Sequence, residues 1–510
     1  MRRALATLTM VFALALPAHA ERPRPLGWAM DAMRAGSWEN AALIARRDGA
    51  VAVDVIEWHR LRAGRGTYAE VTDFLNRRPD WPGEAYLRRQ SEEAVIREGD
   101  KAILDFFTGQ GPQTPEGVLA HAAALLRADR LGEAQARLVL AWRTLPMSGN
   151  DQAKFIDAHG PLLKPHHAAR LDEMLWQREH AEARQMFDLV SDADKALAET
   201  RIALQNLDGD VNALIDALPA SKAGDPGLQA DRFEWRIRKG YGDSAKDLML
   251  SQSVSAAALG QPAAWANRRR ALARDEMRNG DPARAYQMAS KHFLSEGSHF
   301  ADLEWLSGYI ALRFLKDPKL ALGHFQAHDG AVESPISQGR AGYWQGRAYQ
   351  AMGDAEGAAK AYAQGAKFQS SFYGLLAAER GNLPFDTSLA GAPPEQDWRT
   401  SALAQAPLFQ AGLLLQASGE LSTAERFWTH LAEQLITEDA ALLGQAAIDV
   451  GQPHLAVMIG KRVAQRGITI AGPYYALHDA IKLDLNMAPE MVLAIARRES
   501  EFDPVVQSHV

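Results

Sequence analysis

From Glu21 to about Gly381 one pattern repeats along the chain. An apolar helical stretch ends in glycine plus a polar residue, and the next opens on an alanine small enough to pack at a helix crossing. The instances read Gly36-Ser37-Trp38-Glu39-Asn40-Ala41, Gly99-Asp100-Lys101-Ala102, Gly132-Glu133-Ala134, Gly280-Asp281-Pro282-Ala283-Arg284-Ala285 and Gly353-Asp354-Ala355-Glu356-Gly357-Ala358-Ala359. Ala102 to Ala134 is 32 residues, Ala285 to Ala321 is 36 and Ala321 to Ala359 is 38. Such a period predicts stacked helix-turn-helix units, because one helix pair cannot bury its apolar face alone.

The units are of the tetratricopeptide kind. Tyr343-Trp344-Gln345-Gly346-Arg347-Ala348-Tyr349-Gln350-Ala351-Met352-Gly353-Asp354 is the clearest copy, and Trp305, Gly308, Ala311 and Ala321 form a degenerate one. Their loose period predicts a dedicated curved body rather than a consensus peptide-binding scaffold. Between Gly381 and Trp398 the pattern breaks at Leu383-Pro384-Phe385 and Gly391-Ala392-Pro393-Pro394-Glu395, a domain boundary. Helices are then predicted over Ala411–Gly419, Leu421–Ala432, Glu438–Gly451 and Pro453–Gly467. Gly472-Pro473-Tyr474-Tyr475 is the next break, before a last helix that opens at Pro489. The expected fold class is all-α.

That last helix carries the candidate chemistry. Val492, Ile495, Ala496 and Glu499 recur at helical spacing with Phe502 one turn further on, whereas Arg497 and Glu501 point elsewhere. Asp503-Pro504 is expected to end the helix, since a proline disfavours the α region for the residue before it. A carboxyl group half-buried among aliphatic side chains has its charged form destabilised, so it can hold a proton and donate it to a leaving oxygen. Against this, Arg497-Arg498-Glu499-Ser500-Glu501 also reads as a solvated charge run.

The motif tips the balance. Glu499, Ser500, Phe502, Asp503, Pro504 and Ser508 resemble the opening signature of the lytic transglycosylases of the lysozyme-like superfamily, with Val506 where alanine is usual. The second half of that signature, Gly-Leu-Met-Gln, would lie beyond Val510, so the chain is expected to be truncated at the start of its catalytic domain. Asp80-Trp81-Pro82-Gly83-Glu84-Ala85-Tyr86-Leu87-Arg88-Arg89, Glu304-Trp305-Leu306-Ser307-Gly308 and Ser371-Phe372-Tyr373-Gly374 resemble the superhelical domain of the large soluble periplasmic members. Their aromatic residues are expected to pack between helices rather than to stack on sugars. The resemblance implies a signal peptide over 1–20, an α-helical ring over 21–385, a helical linker domain over 386–472 and the first helix of a lysozyme-like head over 473–510.

It also implies roles. Glu499 would be the catalytic acid and then base, cleaving the bond between N-acetylmuramic acid and N-acetylglucosamine and leaving a 1,6-anhydro sugar. Ser508 matches a substrate-contacting position, and Ser500 would support the local hydrogen bonding. Glu501, facing away, is expected to be dispensable. Peptidoglycan glycan strands are the implied partner, with cell-wall synthesis proteins as further candidates. Two other readings remain open: an exported helical scaffold that binds glycan or protein without chemistry, and a goose-type lysozyme-like hydrolase sharing the same glutamate.

Composition narrows the field. The formal charge is −7, and loss of Arg2 and Arg3 with a leader makes it −9, which gives nucleic-acid binding no electrostatic support. With no cysteine, disulfides and thiolate metal sites are excluded. His166-His167 and His478 lack partners at ligand spacing, so no metal is expected, and Gly64-Arg65-Gly66 is no phosphate loop, so no cofactor is either. Ser500 has no glycine elbow around it and is not read as a nucleophile. Met1-Arg2-Arg3, the apolar Ala4–Leu16 and Ala18-His19-Ala20 form a secretory leader cleaved after Ala20, and no other stretch is apolar enough to span a membrane. A periplasmic protein is expected.

Overall fold

The computed structural model describes residues 24–483 and 486–507, and among these there is no strand. The leader with its Ala20 site, and Ser508, lie outside the described residues.

The turn pattern has a physical reading in the helix caps. Pro282 and Pro318 open their helices where no N–H is needed, and Asp281 and Asp317 before them accept from the backbone N–H groups of Ala283 and Leu320 at 3.0 and 2.9 Å. Asp354 caps Ala355–Gly365 in the same way, accepting from Gly357 N–H at 2.8 Å. After Gly280 and Gly353 the aspartate is thus the cap of the next helix, whereas Asp100 and Glu133 already lie inside theirs. The glycines themselves differ. Gly36 and Gly353 both sit at φ +79°, the left-handed conformation that stops a helix. Before Leu131–Thr144, however, Asp129 takes that conformation, and Gly132 is already inside the helix.

The crossings are close where the sequence is small. Within Pro335–Met352, a Cβ on Gly342 would lie 2.4 Å from the backbone nitrogen of Gly365, and one on Gly346 would strike the Tyr362 ring at 2.5 Å. Two fully buried arginines serve the array differently. Arg170 donates to the carbonyls of Trp142 and Leu145 at 2.6 and 2.9 Å, and Arg269 to that of Met288 at 2.8 Å. Each supplies the end of a neighbouring helix with a cation, and burial lowers both guanidiniums to about 10, still charged at neutral pH.

Successive small cores run along the array: Val118 to Ile202, Leu197 to Leu228, Phe233 to Ile310, then Ala311 to Ala378. The largest core is built differently, because it joins Leu26–Phe107 to Trp398–Ala476. Helix Ala50–Arg62 packs on Pro407–Ala417. The Phe427 ring meets Trp58 and Trp81 edge-on at 5.1 and 5.0 Å, and Arg34 donates to both oxygens of Glu420 at 2.6 and 2.5 Å. Through this contact the second domain returns to the start of the array.

After the array, 3-10 turns between Thr387 and Gln405 lead into helices Pro407–Ala417, Leu421–Ala432, Thr437–Asp449 and Pro453–Ala464. The first begins four residues earlier than its periodicity suggests, because Pro407 supplies the first helical position. The break at Gly472–Tyr475 is not a loose joint. Ala471–Tyr474 is a short helix whose Pro473 lies so near Gly444 that a Cβ there would come within 2.3 Å, and Ile470 and Ala476 belong to the large core.

Candidate functional site

Helix Pro489–Ser500 begins at Pro489, as its sequence predicts, and ends earlier than expected. Glu501 and Phe502 both take left-handed conformations, at φ +52° and +63°, so the chain has turned before Pro504 is reached. For residues with a Cβ this conformation is disfavoured, and the surroundings must hold it. Glu501 N–H donates to the Arg497 carbonyl at 3.0 Å and Asp503 N–H to that of Ser500 at 2.9 Å. Phe502 does not continue the helical stripe. It turns inward, is buried, and stacks on His478 with ring centres 5.2 Å apart.

Helices of the preceding domain grip the same turn. Lys461 forms an ion pair with the Glu501 carboxylate. His454 Nδ1–H donates to the Glu501 carbonyl at 3.0 Å, while its Nε2 faces Glu425 at 3.3 Å. Burial works against charge on His454, but the bonds to Glu425 and Glu501 outweigh it and its pKa is raised. Glu501 does face away from Glu499, yet it is an anchor rather than a bystander.

The docking face is Leu493, Ala496, Arg497 and Ser500, turned by one residue from the expected stripe. Arg497 lies 4.6 Å from the Tyr474 ring centre and 5.4 Å from that of Tyr475, whose hydroxyl donates to the Ser370 carbonyl at 2.9 Å. The Ser500 hydroxyl donates back to the Ala496 carbonyl at 3.2 Å. Glu499 is therefore exposed, not half-buried, and shares its outward face with Met491 and Ile495, 53% and 49% exposed. Spacing defined which residues share a stripe; the Arg497–tyrosine stack and the Glu501 anchor decided which stripe turns inward. A cavity of about 280 Å3 lies at this junction between array and second domain, bordered by Ser370, Gly391, Thr437, Thr469 and Gly472, and Glu499 does not line it.

Of the expected site residues, Glu499 and Ser500 thus share one helix end with their side chains committed to different directions, and Ser508 falls outside the described residues. Sequence reasoning missed His454, Lys461, Tyr474 and Tyr475. The tyrosine pair stood in view as a chain break, whereas nothing in the local pattern of His454 or Lys461 marks them. Among the described residues no cluster of three or more His, Asp or Glu side chains is placed to share a metal ion, and no helix is long and apolar enough to cross a membrane.

Solved structures with this architecture are known. The 70 kDa soluble lytic transglycosylase of Escherichia coli aligns over 95% of this chain and 78% of its own, with a TM-score of 0.58 and 17% identity. An inactive glutamate-to-glutamine mutant of the Pseudomonas aeruginosa lytic transglycosylase Slt aligns over 96% and 79%, with a TM-score of 0.64 and 17% identity. This chain has their fold. A 70 kDa soluble lytic transglycosylase in complex with bulgecin A matches similarly, at a TM-score of 0.58 over 95% of this chain. No protein-family model matches the sequence, and no curated protein matches it by sequence comparison. The likeness therefore lies in the all-α superhelical fold and its helical second domain.

Proposed function

We propose that the protein is a peptidoglycan lytic transglycosylase, exported to the periplasm, with Glu499 as its proton donor and acceptor. The observation that carries this reading is a coincidence. A chain with the fold of the soluble lytic transglycosylases places the glutamate of a Glu-Ser-x-Phe-Asp-Pro motif, free of intramolecular partners among the described residues, on the outward face of its last helix. The Pseudomonas aeruginosa neighbour, inactive when a glutamate is replaced by glutamine, is consistent with a single decisive carboxyl.

Glu499, protonated, would give its proton to the oxygen linking muramic acid to glucosamine as oxocarbenium character develops at the muramoyl anomeric carbon. The muramoyl C6 hydroxyl would then attack that carbon while Glu499 takes up its proton. The bond to the leaving sugar breaks, a 1,6-anhydro bridge forms, and no water is consumed. The intramolecular nucleophile needs positioning rather than activation by a second carboxylate. Such a donor must keep its proton near neutral pH, which requires apolar cover over the Met491–Ile495–Glu499 face.

That requirement favours a second reading for residues 24–507 taken by themselves. No wall opposes Glu499 among them, so this part alone is expected to bind peptidoglycan without cutting it. The test is digestion of purified sacculi by the full-length protein, with products weighed by mass spectrometry. Fragments ending in anhydromuramic acid, one water lighter than hydrolysis products, are expected. Glu499→Gln should lower the rate by the ~10²–10⁴-fold that general acid–base catalysis supplies. Reducing muramic ends, or a near-normal rate in the variant, would refute the assignment.

A further inference from the structure

Helices Pro262–Asn279, Gly297–Ile310 and Pro335–Met352 open successive pairs of the array and bring one face each together. The first presents Arg270, Arg274 and Arg278, one turn apart, the second Asp302, Trp305 and Tyr309, and the third Arg340, Trp344 and Arg347. Contacts join the three into one surface. Asp302 pairs with Arg270 and, at 3.4 Å, with Arg340. The Arg340 guanidinium lies 4.9 Å from the Trp305 ring centre, and Tyr309 meets Trp344 edge-on at 5.1 Å. Arg347 sits 5.9 Å from the Trp344 ring centre and donates to the Tyr343 hydroxyl at 2.9 Å.

Charge on this face is out of balance. Among the described residues Asp302 pairs with Arg270 and Arg340, while Arg274, Arg278 and Arg347 pair with no carboxylate, because the other acids of these helices are committed elsewhere. Asp275 and Glu276 bind Lys246 at 3.0 and 2.8 Å, and Glu304 binds two histidines. Arg274 is half-buried and pairs with no carboxylate among the described residues. Burial, then the charges of Arg270, Arg278 and Arg340, hold its pKa below the usual guanidinium range. Three buried donors beside or beneath this face, Trp305 Nε1, Trp344 Nε1 and Arg340 Nε, also lack an acceptor among the described residues. A half-desolvated group of cations with spare N–H donors is costly unless something anionic completes it.

We propose that this face binds the carboxylates of peptidoglycan stem peptides, as a recognition site on the array separate from Glu499. The proposal rests on the peptidoglycan reading above and adds the part of the polymer that is recognised. Guanidinium forks match carboxylates in a bidentate manner, and aromatic flanks accept the apolar parts of a short peptide. The patch spans only three helices of a chain whose net charge is −7, which suits a compact multi-carboxylate ligand better than a long polyanion.

The test is calorimetric titration of the purified protein with disaccharide-tetrapeptide muropeptides, with the same disaccharide stripped of its peptide, and with inorganic phosphate. Binding of the peptide-bearing probe alone is expected, weakening with added salt. Arg274→Gln removes no intramolecular ion pair, so it should leave the fold intact and lower affinity roughly tenfold, the loss of one charge-assisted hydrogen bond. Arg340→Gln should act in the same direction. Unchanged muropeptide affinity in both variants overturns the proposal, and so does equal binding of the stripped disaccharide or of phosphate. Because the readout is binding, it separates from lysis. A protein that captures muropeptides through Arg274 but never cuts them defeats the lytic reading alone, and an active enzyme indifferent to Arg274→Gln defeats this one alone.

Discussion

Glu304 ties three helices to one carboxylate. His292 Nδ1 accepts from Leu294 N–H at 3.0 Å, which leaves its Nε2–H to donate to Glu304 at 2.9 Å. His324 Nδ1–H donates to the other oxygen at 2.6 Å, and its Nε2 accepts from the Tyr286 hydroxyl at 2.9 Å. Burial would raise the Glu304 pKa, but the two histidines outweigh it and hold it at about 2. A depressed acid contributes stability that is present above its unfolded value, about 4.3, and lost as pH falls through the folded one. Stability of the array should therefore decline between about pH 4.5 and pH 2. Glu304→Gln should flatten that decline and cost ~1–3 kcal/mol at neutral pH, by leaving a buried donor unpaired. Urea midpoints across this range decide it, and parallel curves for the two proteins would exclude Glu304 as the titrating group.

At the scale of the element, the helix that carries Glu499 is held at its C-terminal turn rather than along its length. Phe502 is buried, Glu501 is fixed by Lys461 and His454, and Arg497 lies on the tyrosine pair. Two adjacent left-handed residues would relax if these anchors were cut. His454 has a raised pKa, so its contribution is complete below the unfolded value of about 6.5 and is lost as pH rises through the folded one. Opening of residues 489–502 should thus be rarer at pH 6 than at pH 8.5. Lys461→Met should make it more frequent at both, by the ~0.2–1 kcal/mol of a partly exposed pair. Hydrogen exchange, corrected for intrinsic rates, reads this directly, and protection that is the same at both pH values in the native protein would remove His454 from the account.

The whole molecule has two kinds of core, and they should fail differently. Along the array each small core touches only its neighbours, as in other solenoids. Where the second domain returns to the start of the array, residues some 350 positions apart meet around Phe427, Trp58 and Trp81. Phe427→Ala should cost ~3–5 kcal/mol, as large buried aromatic deletions do. The loss should appear as exchange protection falling together in residues 50–107 and 407–432, while the Phe233–Ile310 and Ala311–Ala378 cores keep theirs. A uniform fall across the chain would show that the array unfolds as one unit.

The chain's periodicity and its caps were enough to fix an all-α array and the helices of the second domain, because both depend on residues within a few positions of one another. Gly-Asp-Pro at a turn and Pro489 before a last helix act locally, so they are legible from sequence. The end of the last helix was not. Pro504 signals a stop, yet the turn occurs at Glu501 and Phe502, because Lys461, His454 and the burial of Phe502 against His478 make a left-handed pair tolerable there. Nor could spacing tell whether Glu499 faces inward. Leu493, Ala496, Arg497 and Ser500 form as good a stripe as Val492, Ile495, Ala496 and Glu499, and the choice between them lies in Tyr474 and Tyr475, on a different element. The return of the second domain to the start of the array is the same kind of fact. Phe427 reads as an ordinary apolar helical residue, and only the path of the intervening chain brings Trp58 and Trp81 to it.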